Sequence, residues 1–203
     1  MRSSELNANT LYDYWFGSAT ETTQYIEGRA EIWFKKDPIV DAYIEKNFSC
    51  LLEAYSQKQL SDWHLTAKSK LTLIIALDQI PRHLYRNSPL AHKFDIDALT
   101  MSLHLIQTGF SDSLNSVEKL FLYLPLQHSE MIAIQNLSVK KFTELLYVSP
   151  IEWRDFFSIV LDMAKRHHEV IQKFGRFPHR NSYLKRTSSL DELEILKNPK
   201  YCF

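Results

Sequence analysis

Three short segments carry the side chains that could do chemistry. The first is Leu77-Asp-Gln-Ile-Pro-Arg82, with Arg86 four residues further on. The second is Phe121-Leu-Tyr-Leu-Pro-Leu-Gln-His-Ser-Glu130, followed by Gln135. The third is Phe174-Gly-Arg-Phe-Pro-His-Arg-Asn181, followed by Arg186. Arginine offers a planar fork of donors that matches carboxylate or phosphate oxygens, so Arg82, Arg86, Arg176, Arg180 and Arg186 suit an anion. His128 or His179 could take a proton as general base, with Asp78 or Glu130 as the orienting acid. Gln79, Gln135 and Asn181 complete the polar set. Ser129 adjoins His128, but adjacent residues on a helix diverge, so a nucleophilic serine has no support.

These residues need helices to position them, and helical spacing is plain. Trp153, Phe157, Val160, Ala164, His167, Ile171 and Phe174 recur at steps of three and four, one apolar stripe with His167 inside it. His128, Ile132, Gln135, Val139, Phe142 and Leu146 form a second stripe that is polar at its N-terminal end. Ala67, Leu71, Ile74 and Asp78 form a third, ending in an acid. Asp78 lies in a last helical turn, where the helix dipole disfavours negative charge by about 0.3–1 kcal/mol. It therefore needs a cation, and Arg82 and Arg86 are the nearest in sequence. Polar groups that interrupt several seams either tie helix ends together or converge on one pocket.

Helix starts and stops are equally legible. Asp37-Pro38 starts a helix to about Tyr55, and Ser88-Pro89 one to about Gln107, closed by Gly109. Ser149-Pro150-Ile151-Glu152 reads as a capping box for a helix to Phe174, and Ser189-Leu-Asp-Glu192 as another for a short last helix. Further helices are expected over 9–16, 20–34, 66–79 (stopped by Pro81), 116–123 and 129–146. After Phe174, Gly175 can turn left-handed and Phe177 can fold back on the last turn, while Pro178 prevents resumption. The loop then presents Arg176, His179, Arg180 and Asn181, either to a ligand or to helix-end carbonyls and the acids Asp78 and Glu130. The expected fold is all-α: a single-domain antiparallel array of about eight or nine helices spanning 1–203.

Composition removes many alternatives. The 203 residues are 45% hydrophobic and 24% charged, an ordinary globular balance that excludes disordered and collagenous classes. Only four glycines occur, and none stands in a phosphate cradle or dinucleotide fingerprint, so no cofactor is implied. Formal net charge is zero, which argues against nucleic acid as a partner. Residues 1–60 lean acidic, whereas Lys173 to Arg186 carries five bases and no acid. Cys50 and Cys202 make no metal or redox spacing, which suits a cytoplasmic location. The N-terminus has no apolar leader, and the longest apolar runs are too short for a membrane span, so no membrane partner is expected.

The three polar segments, in this order, resemble the mostly bacterial domain-of-unknown-function family 924. Trp15-Phe16-Gly17, Trp33-Phe34, Asp41, Phe48 and Trp63 fall in the expected order as well, and the resemblance covers about residues 11–196. It implies a helical fold similar to tetratricopeptide-repeat arrays and no established activity. Some positions depart from the pattern: His83 stands where asparagine is usual, Asn87 and Lys185 where glycine is usual, and Met131 where an acid is common.

Three functional readings follow. An Arg- and His-lined cavity would bind a small anionic ligand or a peptide carboxylate. A hydrolase or transferase would use His128 or His179 with Glu130 or Asp78. A scaffold would bind protein partners through its aromatic surface, its polar motifs being structural. A metal site from His128, Glu130, His167 and His179 would have to be assembled by the fold alone, and none is expected. The binding reading is the leading expectation.

Overall fold

The computed structural model describes residues 7–17 and 23–201. The N-terminal segment 1–6, the expected helix start at 20 and Cys202 therefore lie outside the described residues. Helices follow one another as α1 (Ala8–Phe16), α2 (Thr23–Phe34), α3 (Pro38–Phe48), α4 (Cys50–Ser56), α5 (Ala67–Asp78) and α6 (Ile80–Leu84). Then come α7 (Asp95–Gln107), α8 (Ser116–Gln127), α9 (Ile132–Val148), α10 (Arg154–Phe174) and α11 (Leu190–Ile195). No strand occurs among the described residues, so the fold is all-α.

Several boundaries rest on the side chains that predict them. Asp37 accepts from the Ile39 and Val40 amides ahead of α3, and Ser189 and Glu192 complete a reciprocal box on α11. Gly109 and Gly175 are both left-handed. Asn87 and Lys185 are also left-handed, with φ of 58° and 56°, at two positions where the resemblance leads one to expect glycine. A side chain with a Cβ is strained in that conformation, which is the physical reason glycine suits it.

Other boundaries differ from expectation. The helix from Pro38 breaks at Ser49 into α3 and α4. Ser88-Pro89 opens only a 3-10 turn, Pro89–His92, because Phe94 leaves helical geometry and buries its ring edge-on to Tyr55. Helix α5 does stop as expected, at Asp78, but Pro81 then sits in the first turn of a further short helix, α6, where its missing N–H has no partner to lose. Ser149 does not cap: its hydroxyl donates back to Leu145 O, and Ile151–Trp153 form a 3-10 turn before α10. Helix α8 runs through Pro125 to Gln127, beyond the expected end at 123. The buried Gln135 amide supports that end, donating to Gln127 O at 2.7 Å and Ser129 O at 2.6 Å.

Helix α5 is the centre. Every residue from Leu71 to Asp78 is buried, and α1, α7 and α8 all pack against it. A helix that is apolar all round has no solvent face to offer, so it must be enclosed. Helices α8, α9 and α10 are successive neighbours joined by short connections, which sets them antiparallel. Helix α10 is strongly one-sided and buries Phe157, Val160, Ala164, His167 and Ile171, as its stripe predicts. The α9 stripe is rotated: Gln135, Ser138, Phe142 and Leu145 face inward, while Ile132 is exposed at the helix start. Trp15, Phe16, Trp33 and Phe121 lock α1, α2 and α8 together through edge-to-face contacts. No described helix is long and apolar enough to cross a membrane.

Candidate functional site

The C-terminal ends of α5 and α8 meet beside the turn after α10, and that meeting point is polar. Asp78 is only 1% exposed. Its Oδ1 accepts from His128 Nδ1 at 2.8 Å and faces Arg82 Nη1 at 3.1 Å, while Oδ2 accepts from Gln79 Nε2 at 2.6 Å. Taking a carboxylate out of water costs several kcal/mol, roughly, and full satisfaction of its oxygens is what makes burial tolerable. Burial alone would raise the Asp78 pKa, but the charge of Arg82 and the hydrogen bond from His128 overcome it and hold the carboxyl below its usual value. The expected cation for Asp78 is thus Arg82. Arg86 instead pairs with Asp41, at 2.7 Å, and His83 Nδ1 lies 2.8 Å from the same carboxylate.

Arg82 bridges two acids. Its Nη1 and Nη2 donate to Asp95 Oδ1 and Oδ2 at 2.8 and 3.0 Å, a bidentate fork, and Nη1 also donates to Asp78 O at 2.6 Å. His92 Nδ1 donates to Asp95 Oδ2 at 3.2 Å, and the Tyr183 hydroxyl donates to His92 Nε2 at 2.9 Å with the two rings stacked. Arg180 enters from the turn Pro178–Arg180, with Nη2 donating to His128 O at 3.0 Å and Nη1 3.9 Å from Asp95. The Arg180 guanidinium lies over the Phe177 ring at 4.5 Å. Arg180 is 8% exposed, and its buried Nε has no hydrogen-bond acceptor among the described residues. The Gln127 Oε1, also buried, has no donor among them.

These side chains border a cavity of about 450 Å³. Of the sequence-derived candidates, Gln79, Arg82, Arg86, His128, His167, His179 and Arg180 line it. Asp78 stands behind His128 and Arg82. The others do not reach it. Glu130 takes a fork from Arg186, at 2.9 Å to each oxygen, and also accepts the Phe177 amide. Arg176 turns outward to a fork on Glu192, at 2.6 and 2.8 Å. Asn181 donates to Ser188 Oγ, Gln135 caps α8, and Ser129 Oγ accepts from the Met131 amide. These six residues hold the C-terminal segment and the α8–α9 connection in place.

Four cationic side chains line the cavity, Lys36, Arg82, Arg86 and Arg180, and no carboxylate is among its described lining residues. Asp41, Asp78 and Asp95 all lie one layer back. Lys36 has no acidic partner among the described residues. Three of the wall histidines, His128, His167 and His179, are pushed below their ordinary value, which favours the neutral ring. Burial, then the Arg180 charge, pushes His179 down to about 3, and burial takes His167 well below its ordinary value. Burial and the Arg82 charge lower His128 despite the nearby Asp78. Trp33, Phe34, Leu124 and Met163 give the same cavity an apolar side. Among the described residues, no group of three or more His, Cys, Asp or Glu is placed to hold a metal ion.

Reasoning from sequence missed Asp95, His92, Tyr183, Lys36 and the Asp41–His83 pair. The only local signal was the three-residue spacing of His92 and Asp95, which brings side chains together on a helical turn.

Fold and site together define an all-helical protein with an Arg/His-lined cavity backed by aspartates, of which Asp78 is buried. A bacterial family of proteins of unknown function, DUF924, matches residues 11–200, and the chain belongs to that family. A protein of unknown function from Agrobacterium tumefaciens has a similar solved structure, with 27% sequence identity and a TM-score of 0.78. The match covers 94% of this chain and 96% of that one. No curated protein matches the chain.

Proposed function

We propose that this chain binds a small organic anion in the cavity between α5, α8, α10 and the turn after α10. The observation that carries the reading is the layering of charge: cations and neutral imidazoles form the described wall, with the acids behind them. The acids hold Arg82 and Arg180 in place and offset part of their charge, and Lys36 adds a cation with no acid of its own. A buried guanidinium N–H without an acceptor costs roughly 1–3 kcal/mol, and more when charged, so the Arg180 Nε favours a ligand oxygen. The volume falls within the range of small-molecule sites, about 300–1,000 Å³. The aromatic cluster of Trp15, Phe16, Trp33 and Phe121 is buried, which weighs against a scaffold presenting those rings to a partner.

The test is a calorimetric titration with inorganic phosphate, acetate and, as the opposite charge, tetramethylammonium. Saturable heat from an anion, lost in Arg180→Gln and kept in the exposed Arg154→Gln, is the expected result. Heat from the cation instead, or none from any probe, contradicts the reading.

A further inference from the structure

His128 is set up for more than holding a ligand. Its Nδ1–H donates to the buried Asp78 carboxylate at 2.8 Å, so the other ring nitrogen, Nε2, carries the free lone pair. No partner takes that Nε2 among the described residues, and His128 lines the cavity. A histidine oriented by a carboxylate through Nδ1, with Nε2 open, is the arrangement of a general base. Asp78 itself is locked by Arg82 and Gln79, so the ring has one orientation. Arg180 is tied to the same residue through His128 O.

Resting on the anion-binding reading above, we propose that the cavity hydrolyses small phosphomonoesters, with His128 as general base and Asp78 as its positioning residue. The cations Lys36, Arg86 and Arg180 reach the cavity wall from three separate elements, and a tetrahedral phosphoryl group presents three terminal oxygens to such a set. A planar carboxylate offers only two oxygens. The cavity is larger than orthophosphate needs, and Trp33, Phe34 and Met163 give the organic leaving group an apolar side. In the reaction, His128 Nε2 takes a proton from water as the water oxygen bonds to phosphorus. The ester P–O bond breaks, and its electron pair stays on the leaving oxygen. The imidazolium, stabilised by Asp78, then releases its proton to solvent, and the leaving oxygen on the opposite face of phosphorus takes a proton from solvent. The products are an alcohol and inorganic phosphate, with neutral His128 restored. Arg180 offsets charge on the equatorial oxygens.

The experiment pairs turnover of p-nitrophenyl phosphate with calorimetric binding of inorganic phosphate, in native protein and His128→Gln. The expected result is nitrophenol release by the native protein and a loss of about 100-fold or more in kcat for His128→Gln, in the range a general base supplies. Phosphate affinity should stay within about threefold in that variant. In His128→Ala, added imidazole should restore turnover, which a purely structural role would not produce. Phosphate binding without nitrophenol release, or an unchanged kcat in His128→Gln, overturns the hydrolytic assignment and leaves anion binding standing. No phosphate binding and no release overturns both.

Discussion

Arg176 and Arg180 leave the same turn, four residues apart, and end in opposite kinds of place. Arg176 points away from the core and closes a fork on Glu192, which ties α11 to the end of α10. Arg180 is buried between His128 O, Asp95 and the Phe177 ring, with an unmet Nε. Glu130 and Asp78 divide in the same way. Glu130 is a half-buried latch for Arg186 and the Phe177 amide, whereas Asp78 is sealed behind a cavity wall. One set of charged motifs thus does two jobs. The latch places the turn, and the turn delivers Arg180 and His179 to the cavity. Residue type does not separate the two. Depth and the completeness of hydrogen bonding do.

That contrast can be broken by stability. Asp78→Ala leaves Arg82 half-compensated in the interior and should cost about 3–5 kcal/mol in urea unfolding, as for a broken buried pair. Glu130→Ala removes a solvent-screened contact and should cost only about 1 kcal/mol. Equal losses for the two variants would erase the distinction between sealed network and latch.

Acid sharpens the comparison further. His179 is held neutral in the fold, down to about 3, against an ordinary value of 6.5. The unfolded chain therefore binds a proton that the folded chain refuses below pH 6.5. Stability from this group is complete above that pH and falls as pH drops toward the folded value. His179→Gln should flatten the stability curve in that window by up to about 1.4 kcal/mol per pH unit, one proton's linkage. An unaltered slope in His179→Gln contradicts the buried, neutral assignment.

The smallest effect lies at Lys185, whose left-handed backbone sits between the latch and the cavity turn. Lys185→Gly should stabilise by roughly 0.5–1 kcal/mol by relieving that conformation, offset in part by glycine's freedom in the unfolded chain. A net loss in thermal unfolding would mean that the Lys185 side chain contributes more than its backbone costs.

Much of the fold is readable from sequence because it is written in local chemistry. The scarcity of glycine, the caps at Asp37 and Ser189, and the left-handed glycines at 109 and 175 each act within one turn of the chain. The α10 stripe is readable because helical periodicity extends over twenty residues. Boundaries at Ser49, Phe94 and Ser149 are not, since they are set by which ring or hydroxyl the rest of the fold can bury. The site divides along the same line. Asp78 on an apolar seam at the wrong helix end announces its need for a cation, and Arg82 answers it. Arg86, four residues further on, is a second candidate of the same type, and only the fold assigns it to Asp41. Asp95 reads as an ordinary first-turn acid favourable to the helix dipole, which hides its second role as the anchor of Arg82. Lys36 and Tyr183 lie outside regular helix, where no periodicity marks a face. Which arginine enters the cavity depends on tertiary depth, and spacing carries no such information.

The most direct test of anion binding in the cavity is a thermal-shift titration with inorganic phosphate on Arg180→Gln and Arg176→Gln beside the native protein. Phosphate at a hundred times its dissociation constant stabilises a folded protein by about 2.7 kcal/mol, several degrees in a chain of this size. The expected result is a full shift in the native protein and in Arg176→Gln, and none in Arg180→Gln. Loss of the shift in Arg176→Gln with retention in Arg180→Gln, or no shift in the native protein, would contradict the account.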